Sequence, residues 1–246
     1  MSLTQAMYAA SAGAFNNQQR LDVLANNLAN INTPGFKQDR LIFRVPVESE
    51  KGGDSQTDYL QGPSAAMARG GWTDFSQGIL RCTDNPLDLA LDGTGFFCIQ
   101  TPGGTRYTRN GSFEINKDGV LTTRDGHPVL GKGGEIKIDG RNVSVDEEGN
   151  VSVDGSEVGT LKVVSVPQPA SLKKMGNTLF ASAGADEKEA EGFKIREGYI
   201  ETSNVNAIRA MTEMIDISRT YESYQKTIQF LNDATKKSIS EVGRLA

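Results

Sequence analysis

From Leu3, the residues Met7, Ala10, Ala14, Asn17, Leu21, Leu24, Leu28 and Ile31 recur at alternating steps of four and three, and all but Asn17 are apolar. This is heptad spacing, and it predicts a helix whose apolar stripe is two positions in seven wide. The far end of the chain repeats the pattern through Ala207, Ala210, Met214, Ile217, Tyr221, Tyr224, Ile228, Leu231, Thr235, Ser238, Val242 and Leu245. The first helix is expected to start near Ser2 or Thr4, either of which can cap it, and to stop before Asn32-Thr33-Pro34-Gly35. The second should run from near Asn204 to near Gly243. Such narrow stripes suit another helix better than a broad core. The candidate assembly residues are therefore Met7, Ala14, Leu21, Leu24, Leu28 and Ile31, with Met214, Ile217, Tyr221, Tyr224, Ile228 and Leu231. Periodicity leaves open whether the two helices pair within one chain, between chains, or both. Val205, Ile208, Met211 and Ile215 widen the second stripe, as if that segment faced more than one neighbour.

Between the helices the period changes from three and a half to two. Leu87, Leu89 and Leu91 share one strand face, and Phe97 and Ile99 alternate with Phe96 and Cys98. Ile136 and Ile138, Val143 and Val145, and Val151 and Val153 continue the alternation. Asp-Gly at Asp92, Asp118, Asp125, Asp139 and Asp154, and Asn-Gly at Asn110, are the dipeptides of tight turns between antiparallel strands. The expected fold is α+β, with long, coiled-coil-like N- and C-terminal helices packed together and flanking a mainly antiparallel β-rich body. The expected division is a helix and turn over 1–44 that pairs with 198–246, an extended connector over 45–80, a β body over 81–197 with two small subdomains, and the C-terminal helix over 198–246.

Composition removes several classes of function. With 26 Lys and Arg against 31 Asp and Glu, the net charge of −5 argues against electrostatic recognition of nucleic acid or an anionic membrane. No apolar run approaches the roughly 18 residues needed to cross a bilayer, and the N-terminus lacks the pattern of a cleaved secretory signal. Cys82 and Cys98 fit no redox or metal spacing and read as small strand or core residues. His127 is the only histidine, so neither a histidine-based triad nor a multi-histidine metal site is available. Gly93-Thr94-Gly95 precedes no helix and reads as a turn rather than a dinucleotide site. Asp146, Glu147 and Glu148, like Glu187, Glu189 and Glu191, read as solvated loop residues rather than a glycosidase pair. No catalytic, cofactor or metal residue is assigned.

Three stretches carry a resemblance. Leu24-Ala25-Asn26-Asn27-Leu28-Ala29-Asn30-Ile31-Asn32-Thr33-Pro34-Gly35-Phe36-Lys37 resembles the N-terminal signature of the bacterial flagellar rod and hook family. Asn85-Pro86-Leu87-Asp88-Leu89-Ala90-Leu91-Asp92-Gly93-Thr94-Gly95-Phe96-Phe97, followed by Tyr107-Thr108-Arg109-Asn110-Gly111-Ser112-Phe113, resembles its central β motif. Gly198-Tyr199-Ile200-Glu201-Thr202-Ser203-Asn204-Val205-Asn206 resembles its C-terminal motif. The family residues matched are Asn26, Asn27, Asn30, Thr33, Pro34, Gly35, Phe36, Asn85, Pro86, Asp88, Gly93, Gly95, Phe96, Ser203, Asn204 and Val205. Length and the segment Phe43-Arg44-Val45-Pro46-Val47 resemble the proximal-rod branch, with the distal-rod branch or a hook-type axial protein as the alternative. The resemblance implies a structural, non-enzymatic subunit of the periplasm-spanning rod of the basal body. Its implied partners are copies of itself and other rod proteins, with the flagellar type III export apparatus in transit and no cleaved signal. The rival of another class is an extracellular β-rich carbohydrate-binding protein or enzyme whose helices form an oligomerisation stalk.

Overall fold

The computed structural model describes residues 3–44, 67–182 and 188–242. Two helices and an antiparallel β-rich body give the α+β class, divided into two units. One comprises residues 1–29, 39–72 and 206–246, and the other residues 30–38 and 73–205. Much of the connector expected over 45–80, including Val45, Pro46 and Val47, lies outside the described residues. Where that connector is described it is partly strand, since Met67–Thr73 pairs with Asp39–Arg44 in a two-stranded sheet.

In the first unit, helix α1 spans Leu3–Ala29 and helix α2 spans Ala207–Val242. At the standard rise they are about 40 and 54 Å long. Asn206 caps α2, its Oδ1 accepting from Arg209 N at 3.0 Å. The helices pack on each other in antiparallel sense. Arg20 Nη2 lies 3.3 Å from Glu213 Oε1, and Gly13 faces the Tyr224 ring so closely that a Cβ there would fall 2.6 Å from Tyr224 Cζ. Ala10, Ala14, Asn17, Ala210 and Ile217 are buried in this unit, so the small residues of α1 serve close approach to the larger side chains of α2. Ile31, the last position of the predicted stripe, falls beyond the end of α1.

In the second unit, a six-stranded sheet runs in the order Leu172–Lys174, Leu179–Ser182, Gly104–Thr108, Phe96–Thr101, Val163–Ser165, Lys188–Glu189, with every neighbouring pair antiparallel. Its strand Phe96–Thr101 is buried on both faces. Phe97 and Ile99 enter the larger core with Leu89, Leu91, Phe113, Leu121 and Val151, while Phe96 and Cys98 enter a smaller one with Tyr107, Val164 and Phe180. Period-two alternation carries both sets because successive side chains leave a strand on opposite sides.

The turns divide by their chemistry. Asp154-Gly155, with φ of 49° and 84°, makes the two-residue hairpin between Asn150–Val153 and Ser156–Thr160 that Asp-Gly predicts. Asn110-Gly111 does not join a hairpin. Gly111 instead passes directly over the strand Leu89–Asp92, where a Cβ would sit 1.6 Å from Leu89 O. Ile136 and Ile138 are buried in the larger core, yet regular strand there is confined to Gly134–Glu135.

Phe97 is fully buried and meets Phe113 edge to face at 5.2 Å. Phe97→Ala is expected to cost the body about 3–5 kcal/mol through lost transfer energy and the cavity left behind. The fall in its urea midpoint measures that loss.

Candidate functional site

Three segments that are remote in sequence meet inside the second unit, and each brings one charge. Lys37 comes from the turn that follows α1, Arg109 from the end of strand Gly104–Thr108, and Glu201 from the end of strand Tyr199–Glu201. Their side chains are 1, 6 and 0% exposed. Glu201 Oε1 accepts from Lys37 Nζ at 2.5 Å and from Gly78 N at 2.8 Å, while Oε2 accepts from Arg109 Nη1 at 3.4 Å. Backbone carbonyls take further donors: Lys37 Nζ reaches Ser76 O at 2.7 Å, Arg109 Nη2 reaches Gly93 O at 2.8 Å and Arg109 Nη1 reaches Leu91 O at 3.4 Å, while Arg109 Nε is buried without a partner among the described residues. The Arg109 guanidinium also lies 5.3 Å from the centre of the Phe96 ring.

Burial pushes the Lys37 ammonium below its ordinary range, opposed mainly by the Glu201 carboxylate and more weakly assisted by the Arg109 charge. Arg109 is pushed down by burial in the same way, again opposed by Glu201. Two buried cations thus share one fully buried carboxylate. That arrangement depends above all on the shared carboxylate, because without it two buried cations lose their counterion, and a buried charge without its partner costs far more than the pair contributes.

Backbone bonds lock the same junction. Gly35 N donates to Glu201 O at 2.8 Å, and Gln38 N to Asn204 Oδ1 at 2.8 Å. Asn204 Nδ2 donates to Asp74 O at 2.8 Å and to Ser76 O at 3.1 Å. Lys174 Nζ caps the Lys37 carbonyl at 2.5 Å and sits 4.2 Å from the centre of the buried Phe36 ring. The central segment is tied in through Asp88, whose carbonyl accepts from Gly198 N and Tyr199 N and whose Oδ1 accepts from Ser112 Oγ at 2.9 Å.

Most of the family positions read from the sequence gather here. Phe36, Asp88, Gly95, Phe96, Ser203 and Val205 are buried in this unit, and Gly93 supplies the carbonyl that holds Arg109. Asn30 accepts from Thr33 N and Thr33 Oγ1, which shapes the turn before Pro34 and Gly35. Asn85 Oδ1 and O accept from Leu87 N and Asp88 N, shaping the turn that holds Pro86. Asn27 belongs to the other unit, where its side chain grips Asp39 by both backbone groups at 2.8 and 2.9 Å, and Asn26 is exposed on α1. The helix positions Met7, Ala14, Leu21, Leu24, Leu28, Met214, Ile217, Tyr221, Tyr224, Ile228 and Leu231 are all buried or half-buried in the single chain.

Lys37, Arg109 and Glu201 themselves were not among the positions singled out, although a signal existed. Lys37 is the only charge between Leu24 and Lys37, Arg109 the only one from Tyr107 to Phe113, and Glu201 the only one from Gly198 to Asn206. A lone charge in each of three otherwise uncharged stretches, residues 24–37, 107–113 and 198–206, two positive and one negative, is the pattern of a buried cluster.

Comparison with known proteins finds the same three stretches. The flagella basal body rod protein model matches residues 7–37, the flagellar hook protein FlgE/F/G D1 domain model residues 90–153, and the flagellar basal body rod FlgEFG protein C-terminal model residues 196–241. The chain is 33% identical to the flagellar basal-body rod protein FlgF of Caulobacter vibrioides, over 99% of this chain and 100% of that one. It is 34% identical to the flagellar basal-body rod protein FlgG of Bacillus subtilis, over 92% and 94%. It is 30% identical to the flagellar hook-basal body complex protein FlhO of Bacillus subtilis, over 99% and 100%. With a third of its residues shared along essentially its whole length, and the three matched stretches supplying Lys37, Arg109 and Glu201, the chain belongs to the flagellar basal-body rod protein family.

Proposed function

We propose that this chain is a structural subunit of the flagellar basal-body rod, of the proximal FlgF type, assembled through its terminal helices so that the finished rod transmits torque. The observation that carries this reading is the family membership together with a pair of long terminal helices that form a unit separate from the β body. End-to-end alignment with FlgF, against 92% of the chain with FlgG, supports the proximal type over the distal one.

The seam of α1 and α2 is narrow, and several of its positions are only half-buried in the single chain. Asparagine is a mediocre helix former, and α1 carries Asn16, Asn17, Asn26 and Asn27. The helices therefore gain much of their order from neighbouring subunits, which suits a chain exported unfolded and ordered at the growing tip. Leu28→Asp places a charge in the α1 stripe. It is expected to keep the protein out of purified basal bodies while leaving the urea midpoint of the β body unchanged. Recovery of Leu28→Asp in basal bodies at the wild-type level would sink assembly through this stripe.

A further inference from the structure

We propose that the Lys37, Arg109 and Glu201 cluster is a closing latch, in which the β body completes itself only when the segment from Lys194 to Asn204 docks and delivers the Glu201 carboxylate last. The inference rests on the reading of the chain as an exported rod subunit only for its biological use; the latch itself is a property of the fold.

The order of charges along the chain is the first ground. Lys37 and Arg109 precede their common carboxylate by 164 and 92 residues. In a chain emerging N-terminus first, both cations are present long before the group that neutralises them. Closing the body early would bury two charges without a counterion, which is strongly unfavourable. The turn at Gly35 and the end of strand Gly104–Thr108 are therefore held apart until Glu201 arrives.

Strand pairing gives the second ground. Lys194–Glu197 is the antiparallel partner of Leu89–Asp92, and Tyr199–Glu201 is the partner of Leu80–Cys82. Ile195, at 1% exposure, fills part of the larger core. Gly35 N, Gly78 N, Thr83 N and Gln38 N all donate to acceptors between Gly198 and Asn204. The last stretch of the body thus supplies a charge, two strand partners and a core side chain to segments made much earlier. A chain missing it lacks the means to seat its N-terminal turn, so this junction stays open until residues 198–204 dock.

Folding kinetics of the purified full-length chain test this, with stopped-flow circular dichroism and pulsed amide exchange read at residues 89–129. Late docking puts the Glu201 contacts after the rate-limiting step. Glu201→Gln should then quicken unfolding roughly 100-fold while leaving refolding within about twofold of wild type. A refolding rate that falls by more than unfolding rises would overturn the latch, because the carboxylate would then be part of the nucleus. Should Glu201→Gln not fold, Thr202→Ala probes the same segment through the bond from Thr202 Oγ1 to Ile79 O at 3.0 Å. The same partition is expected at a smaller amplitude, and slower refolding would again overturn it. Absence of the wild-type protein from basal bodies would refute the rod reading and leave these kinetics as they stand.

Discussion

Glu201→Ala is expected to destabilise the β body by about 3–5 kcal/mol, the range for removing one partner of a buried ion pair. Three donors lose the carboxylate at once: Gly78 N, Lys37 Nζ and Arg109 Nη1, the last two keeping only the carbonyls of Ser76 and Leu91. A domain of this size has a total stability of about 5–15 kcal/mol, so the substitution brings the body close to unfolding at ordinary temperature. Lys37→Met should cost clearly less. It removes one of two cations, keeps a hydrophobic stem of similar length, and leaves Glu201 paired with Arg109 and Gly78 N. The ranking, Glu201→Ala far below Lys37→Met, distinguishes a shared counterion from three independent hydrogen bonds, for which the losses would scale with the bonds removed. Urea unfolding of both variants beside the wild type measures it. A Glu201→Ala midpoint equal to that of the wild type would show that the cluster carries no stability.

The parts of this fold that were legible in the sequence are those set by local period. The stripes through Leu21 and Leu24 and through Ile217 and Tyr221 specify helices, because heptad spacing keeps one side of a helix apolar. The alternation in Phe96-Phe97-Cys98-Ile99 specifies a strand buried on both faces. Local period does not reach the irregular stretch at Ile136 and Ile138, where two buried side chains two residues apart are held mostly outside regular strand. Nor does it separate the Asp-Gly at 154 from the Asn-Gly at 110. The first turns a hairpin, whereas the second lets one backbone cross another, and only the tertiary partner Leu89 distinguishes them.

The junction was half legible for a similar reason. Motif resemblance picked out Gly35, Phe36, Asp88 and Asn204, which shape or line it. The charges at its centre look like ordinary surface residues one at a time, since Lys, Arg and Glu are mostly exposed. Their burial follows from meeting one another across as many as 164 residues, which no window along the chain contains.

Gly35→Ala is expected to cost about 2–5 kcal/mol from two separable causes. Gly35 has φ of +67°, a region that costs an L-residue with a side chain about 1–2 kcal/mol. A Cβ there would also fall 2.2 Å from Asn110 N and 2.4 Å from Arg109 C, both backbone atoms, so the turn must lift away. Lifting it breaks the bond from Gly35 N to Glu201 O and leaves a buried donor unsatisfied, for about 1–3 kcal/mol more. Gly126 separates the two causes. It has φ of +82°, and a Cβ built on it meets nothing within 4 Å, so Gly126→Ala should show the conformational cost alone. Urea midpoints of the two variants give the difference, and amide exchange at Gly35 reports whether the turn has left Glu201. Equal losses at the two positions would mean that the close passage of Gly35 over Asn110 adds nothing to the junction. A larger loss at Gly35, with fast exchange there and slow exchange at Phe97, would show that the three family motifs are held together by a backbone contact that only glycine permits.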